Sequence, residues 1–538
     1  MFIVAKTNKA KQIAGILDTS DSTEDVASYA FLHKLNFNII GVTSTNIERK
    51  TLVEVQQIMN TEQVMLHGGG KFTIANRCLS QAVIADDVTA VTIPVGVSTI
   101  NGNVFHRKKN LRSVTFSKDV RKIGSDAFSG TGIENLVLPE GVEVIGDRAF
   151  RSCIDLKSVS LPSTLKRIGY AAFSECKNLK HIQLPEGLEE IDGSAFSNSG
   201  IIDISIPDSL LYLGENVFYG CKMRNLEKYK GICYCDGYAI ALDKGNEQGW
   251  GKSAWDCVKW SSIEFKPNIR GFCASLFEYC PATKVIIPDT VRVLPENLFG
   301  YSDLREIVLS DSLKVIGDSC FKSCKLKHIE IPDSVEVIGK GAFLGCRALT
   351  DIKLSKNLQV LSSKVFQSCI KLTHITLPEG LKQIEPMTFA MCKQLTQIDF
   401  PTTLRKVGTD FLYKCLSIER VELPEGVEEI KLMPIQGCVS LKEVVIPSTV
   451  KKLGQLLVSE CPELKRITIK AKDVVIGDWY SAKGQDLFYL VNSCSTMPQV
   501  FIPRGAGYKD KLYYAVECPY TFSKKFKEKI QRLVPKFL

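Results

Sequence analysis

Histidine is scarce in this chain, with six residues among 538. The usual partners of acid–base and nucleophilic chemistry are thin as a result. No G-x-S-x-G, H-E-x-x-H, Walker-type phosphate loop or deaminase pattern occurs. Metal-ligand spacing is missing too, since Cys233 and Cys235 form C-Y-C and not C-x-x-C. The expectation is a non-enzymatic protein with no catalytic set, no metal and no cofactor. Long apolar runs are absent, and nothing approaches the roughly 18–20 residues that span a bilayer. The N-terminal segment MFIVAKTNKAKQIAGILDTS lacks a signal-peptide core, because its longest apolar stretch, Ile13–Leu17, includes Gly15. A cytoplasmic location is expected, with a surface or secreted one as the alternative. Charge of one sign is not in large excess either. A net +9 over this length does not argue for nucleic acid.

What the chain does have is one phrase, repeated. It reads L-x-x-I-x-I-P-x-x-V-x-x-I-G-x-x-A-F-x-x-C, and a clean copy runs from Leu156 to Cys176. The position of Pro162 recurs at Pro139, Pro185 and Pro207, and again at Pro332, Pro378, Pro401, Pro424 and Pro447, with Ser at 117, 310 and 355. Within each block the step is 22 or 23 residues. A fixed period in this range marks a solenoid whose units stack on their neighbours. Within a unit, L-x-x-I-x-I alternates as a strand with its aliphatics inside. Pro and the residues after it are turn chemistry. V-x-x-I-G is a second extended piece, with Gly permitting the next bend. The phenylalanines, from Phe105 through Phe173 and Phe343 to Phe411, form a spine in the core.

Eleven of the 19 cysteines fall three or four residues after that aromatic position: 153, 176, 221, 280, 324, 346, 369, 392, 415, 438 and 461. One per turn makes a ladder inside the coil, and reduced buried packing thiols are expected. Ser199 and Ser302 stand as variants at the same position.

These positions resemble the BspA-like class of leucine-rich repeats, with its I-P, I-G, A-F and C signatures, over residues 88–470. The resemblance implies a right-handed, β-rich leucine-rich-repeat superhelix, here of roughly 16 coils. It also implies a scaffold that binds other proteins, or an exported adhesin. Residues 1–66 read as a small α/β module, with strands at Phe2–Ala5, Gln12–Leu17 and Phe37–Val42 and helices at Thr23–Leu35 and Thr51–Met59. A small enzymatic or regulatory role for that module is a further alternative. Residues 67–87 read as a linker or N-terminal cap. Residues 471–538 read as a degenerate repeat followed by a basic capping helix.

The repeat is interrupted by an insertion at about 222–262. Ile232 to Leu242 reads as an Asp-Gly hairpin. Three of the chain's four tryptophans, Trp250, Trp255 and Trp260, lie in the same segment. Two readings stand: a satellite core that plugs the stack, or an aromatic patch that anchors a partner. From Arg504 to Leu538 there are nine Lys/Arg against three acids. Phe522, Phe526, Ile530 and Leu533 share one helical face there. Such a basic amphipathic helix would cap the last coil, or touch an acidic surface weakly.

One outward position of the first strand reads His181 and Asp203, then Glu306, His328, Asp351, His374, Gln397 and Arg420. The row is polar and mixed in sign, as suits a protein ligand. Two histidines two rungs apart would stand about 9–10 Å from each other, too far to share one ion easily. The row, on what the repeat would make a concave sheet, is the expected binding surface together with the Trp segment.

Overall fold

The computed structural model describes residues 70–224, 226–243, 261–432, 434–454 and 456–476. Outside these it describes strands at Phe2–Thr7, Ile13–Asp18, Phe37–Thr43, Thr61–Met65, Gln248–Gly249, Phe488–Asn492, Gln499–Ile502, Leu512–Ala515, Ile530–Arg532 and Lys536–Phe537, with residues 494, 497–498 and 503–506. The chain is a β-solenoid of about 16 coils, with no helix among the described residues. It divides into two compact units, one holding most of residues 1–209 and the other most of 210–538.

Most coils contribute two short strands, and the coils at His181 and Asp203 form only the second. The alternating segment forms a three-residue strand with its middle side chain buried and its flanking ones exposed, as in His328–Glu330 and Asp351–Lys353. These strands stack in parallel as a first ladder, with His328 opposite Asp351 and Glu330 opposite Lys353. The V-x-x-I-G segments form two-residue strands that make a second ladder. In the first unit it runs Thr99–Ile100, Lys122–Ile123, Val144–Ile145, Arg167–Ile168. In the second unit it is continuous from Val360–Leu361 to Val475–Ile476.

Between the ladders lies the phenylalanine column. In the first unit Phe105, Phe128, Phe150, Phe173 and Phe196 stack with centroids 5.0, 5.4, 5.4 and 5.7 Å apart. In the second unit Phe277 to Phe389 do the same over six coils, with every ring fully buried. Offset stacking adds to the burial of each ring. The chain turns sharply on both sides of the ring. Residues two before and two after it, such as Arg148 and Ser152 around Phe150, hold left-handed φ of 54° and 57°.

All eleven in-register cysteines are free buried thiols. Their placement has a reason beyond packing. Nine of the eleven thiols aim at the backbone carbonyl of the preceding coil's aromatic turn, such as Cys153 at Phe128 (3.2 Å), Cys369 at Phe343 (3.2 Å) and Cys415 at Phe389 (3.1 Å). A weak S–H donor thus joins neighbouring coils at the point where the backbone turns. Where Ser stands instead, its hydroxyl meets the next thiol, as Ser199 meets Cys221 at 3.4 Å.

The glycine of the I-G pair works differently from the bend expected of it. Gly146 is not left-handed. A Cβ there would sit 2.8 Å from the Ile123 carbonyl oxygen and 2.9 Å from the Gly124 carbonyl carbon. Close approach of successive coils is what excludes a side chain.

A second regularity joins coils in pairs. From Pro139 to Pro185 and from Pro378 to Pro447, coils that follow proline with Glu-Gly alternate with coils that follow it with Ser/Thr-Ser/Thr. The carboxylates of Glu140, Glu379 and Glu425 accept from the backbone N–H of Ser163, Thr402 and Ser448 one coil on, at 3.1, 3.2 and 3.0 Å. The next residue answers: Gly141 N–H donates to the Thr164 hydroxyl and Gly426 N–H to the Thr449 hydroxyl, both at 2.9 Å. The alternation is a register device, since a one-coil slip would leave these N–H groups unmet.

The N-terminal strands Phe2–Thr7, Ile13–Asp18 and Phe37–Thr43 form one antiparallel sheet. The helices expected at 23–35 and 51–59 lie outside the described residues. Strands Thr61–Met65, Lys71–Ala75 and Cys78–Val83 run antiparallel, and the last pairs in parallel with Thr99–Ile100. Phe72, fully buried, packs edge-on against Phe105.

The Asp-Gly hairpin is present. Ile232–Cys235 and Tyr238–Asp243 pair antiparallel about Asp236 and Gly237, both left-handed. The second strand also pairs in parallel with Gly271–Phe272, so the hairpin is sewn onto the second ladder. At the C-terminus the structure differs from the expected helix. Ile530–Arg532 is a strand, antiparallel to Leu512–Ala515, while 521–529 lie outside the described residues. A strand edge at Leu512–Ala515 that can pair with this segment outweighs its helical periodicity.

Candidate functional site

The outward rows of the first ladder carry exposed polar side chains fixed by bonds to neighbouring coils. In the first unit the segments that carry His181 and Asp203 form no strand, contrary to the sequence expectation, and His181 Nδ1 lies 3.0 Å from Asp203 Oδ1. In the second, Glu306 pairs with Lys284 at 3.2 Å. His328 Nδ1 lies 2.8 Å from Asp351 Oδ2, and Lys353 lies 3.5 Å from Glu330. His374 does not turn to Asp351. Its Nε2 lies 2.7 Å from Asp399 Oδ2, which also accepts from the Thr376 hydroxyl at 3.0 Å. Gln397 donates to the other Asp399 oxygen at 2.6 Å. The Gln397 amide, then the imidazole, hold the Asp399 carboxyl below its ordinary value.

Further along, charge alternates. Arg420 reaches Glu422 at 2.6 Å and Glu443 at 3.5 Å, and Glu443 meets Arg466 at 3.5 Å. The Arg466 guanidinium lies over the Phe501 ring, 4.2 Å from its centroid. Exposed pairs of this kind contribute little stability individually. What they do is hold long side chains in rows.

Among the described residues, no group of three or more His, Cys, Asp or Glu is arranged to hold a metal ion. No described helix is long and apolar enough to cross a membrane. The thiols are poor nucleophiles, since burial pushes Cys153 up to about 11 and Cys273 to about 12. The same holds for Cys233, at about 11, and Cys235, at about 12, in the hairpin. That hairpin is buried on both faces, with Ile232, Tyr234, Ala239 and Leu242 joined to the core of the second unit. Trp250, Trp255 and Trp260 lie outside the described residues.

The first ladder is not continuous. Among the described residues, no backbone hydrogen bond joins Gln397–Asp399 to Arg420–Glu422, whereas the second ladder stays intact beside them. Lesser breaks follow Glu306–Val308 and Asp351–Lys353. At the Gln397 break an open depression of about 480 Å³ lies between the strands. The sequence carries a sign of it that spacing alone does not reveal: Phe400 holds the place of Leu377, Leu423 and Ile446 in other coils.

Parallel ladders with a buried aromatic and a buried thiol recurring in most coils define a β-solenoid of leucine-rich-repeat type. The chain belongs to the BspA type leucine rich repeat family, which matches residues 73–199, 250–346, 314–438 and 360–483. Among solved structures it is similar to a leucine-rich repeat protein from Bacteroides ovatus, with 23% identity, 76% of this chain and 92% of that one covered, and a TM-score of 0.33. It is also similar to a leucine rich cell surface protein from Faecalibacterium prausnitzii, with 20% identity, 76% and 94% covered, and a TM-score of 0.28. No curated protein matches the chain.

Proposed function

We propose that the chain is a non-enzymatic protein-binding scaffold, working in a reducing compartment, whose outward rows on the first ladder recognise a protein partner. The observation that carries this reading is the rows themselves. Their side chains are exposed, of mixed sign, and held by cross-coil bonds such as His328 to Asp351 and Arg420 to Glu443. A pre-set polar surface loses little entropy on binding and suits a large complementary face. The reducing compartment is supported by the free thiols stacked coil on coil. The Trp segment, next to a hairpin buried in the core, is the second contributor we propose. Its rings would anchor the partner.

The test is capture from native lysate by the immobilised full chain, with partners identified by mass. Charge reversals Glu306→Lys, Asp351→Lys and Arg420→Glu should each reduce capture of the same protein while leaving the thermal melt in place. Trp250→Ala and Trp255→Ala should weaken it further. Capture indifferent to every row variant would place binding elsewhere.

A further inference from the structure

The break between the coils at Gln397 and Arg420 differs from the stacking of the coils on either side of it in three ways. The first is hydrogen bonding. On either side of it, Leu377 N–H donates to Asp399 O at 3.0 Å and Leu423 N–H to Val445 O at 3.1 Å. Likewise Thr396 N–H meets Thr373 O, and Lys442 N–H meets Glu419 O, both at 2.8 Å. The equivalent donors inside the break, the N–H groups of Phe400 and Glu419, have no partner among the described residues.

The second is apolar exposure. Ile375 and Leu377 before the break, and Val421 and Leu423 after it, are buried, but Ile398 and Phe400 are only partly so. Phe400 packs edge-on to Phe411 at 6.5 Å. A ring in the place of a leucine needs more room along the stack, and the strands part there.

The third is charge. Around the depression stand Asp399, Glu419 and Glu422 against Arg420 alone. Arg420 is held by Glu422 and Glu443. Glu419 is paired with Lys442 at 2.8 Å and Glu422 with Lys470 at 3.4 Å. Asp399 has the imidazole of His374, a hydroxyl and an amide, and no lysine or arginine among the described residues.

We propose that this break is the subsite for a lysine or arginine side chain from an extended segment of the protein partner. The proposal deepens the scaffold reading above and rests on it. The aliphatic stem lies along Ile398 and Phe400, as long cationic side chains cover apolar surface while keeping their heads wet. The charged head meets Asp399 in a charge-assisted hydrogen bond. The free N–H groups of Phe400 and Glu419 donate to carbonyls of the same segment, as at an exposed sheet edge. An acidic side chain would face three carboxylates, and an apolar one would leave Asp399 without a cation.

The experiment uses the full chain and four labelled heptapeptides, Gly-Thr-Val-X-Val-Thr-Gly, with X as Lys, Arg, norleucine or Glu, followed by fluorescence anisotropy. The Lys and Arg peptides should bind at least about tenfold more tightly than the other two. Asp399→Asn should remove that preference without moving the melt, and Asp399→Lys should transfer it to the Glu peptide. Ser417→Trp, which fills the depression from its rim, should abolish binding of all four. Equal binding of the four peptides, binding of none, or a Lys preference that survives Asp399→Asn overturns the subsite.

Lysate capture separates this from the scaffold reading. If Glu306→Lys and His328→Ala reduce capture and Ser417→Trp does not, the scaffold stands and the subsite is wrong. If the Lys peptide binds as expected but Glu306→Lys and His328→Ala leave capture unchanged, the subsite stands and the outward rows are not the surface that recognises the partner.

Discussion

The thiol of Cys346 lies 3.0 Å from the carbonyl oxygen of Phe321, one coil earlier, and both residues are fully buried. That carbonyl also accepts from the Cys324 N–H at 3.1 Å within its own coil. The thiol is therefore a second, inter-coil tie on a backbone group that is already met. Cys346→Ala removes it and leaves a small cavity, at a cost of roughly 1–2 kcal/mol. The loss should appear first as faster amide exchange in the coils around Phe321 and Phe343, since coupling in a stack is to nearest neighbours. An even loss along the whole second unit would count against this account.

The same ladder predicts alkaline sensitivity. Burial raises the thiols from 9.0, to about 11 at Cys153 and about 12 at Cys324 and Cys392. A raised folded value means the contribution is fully present below pH 9 and is lost as pH climbs toward 12, because only the unfolded chain can ionise there. Each unit of that interval is worth about 1.4 kcal/mol per thiol. Melting temperature should fall steeply over this interval. A Cys324→Ala, Cys392→Ala variant should melt lower at pH 7 but decline more shallowly above pH 9. Parallel curves for the two proteins would remove the thiols as the cause. In native protein at pH 7 a bulky thiol reagent should react slowly, and quickly after unfolding.

The period, the phenylalanine column, the buried cysteines and the Asp-Gly hairpin were all legible in the residues. Each rests on spacing, and spacing survives translation into a stack. The partner of His374 was not legible. Rung order placed it beside Asp351, but the ladder parts between those two strands and the imidazole turns to Asp399 instead. The Glu-Gly and Ser/Thr alternation stood in plain view, and its meaning lies in a backbone N–H that only the fold brings to Glu140 or Glu425. The strand at Ile530–Arg532 depends on an available edge, which periodicity does not record.

The side-chain pairings can be checked against that rung order. A double-mutant cycle on His374 and Asp399 should show favourable coupling in stability, and one on His374 and Asp351 should show none. Because Asp399 is held low by its partners, its contribution is present above pH 3.8 and is lost as pH falls below that value. Coupling between His374 and Asp351 in place of Asp399 would reverse the assignment.

Core truncation gives a larger signal. Phe343 stacks between Phe321 and Phe366, at 5.3 and 5.8 Å. Phe343→Ala should cost on the order of 3–5 kcal/mol. Limited proteolysis should then cut first near that coil, and end-to-end loss of protection would argue against a nearest-neighbour stack.

The break in the first ladder has a single-residue test. If the Phe400 ring holds the strands apart, Phe400→Leu restores the side chain found at positions 377 and 423 and lets Gln397–Asp399 pair with Arg420–Glu422. The amides of residues 400 and 419 would then gain partners in the Glu422 and Thr396 carbonyls, as Leu377 and Lys442 have theirs at 3.0 and 2.8 Å. Hydrogen exchange at those two amides should slow by about tenfold or more, since exchange from a closed ladder requires local opening. Amides on the second ladder, such as those of Lys406 and Glu429, should not change, because that ladder is closed already. Unchanged exchange at residues 400 and 419 would move the cause of the break from the ring to the Ser417-Ile418 turn facing it.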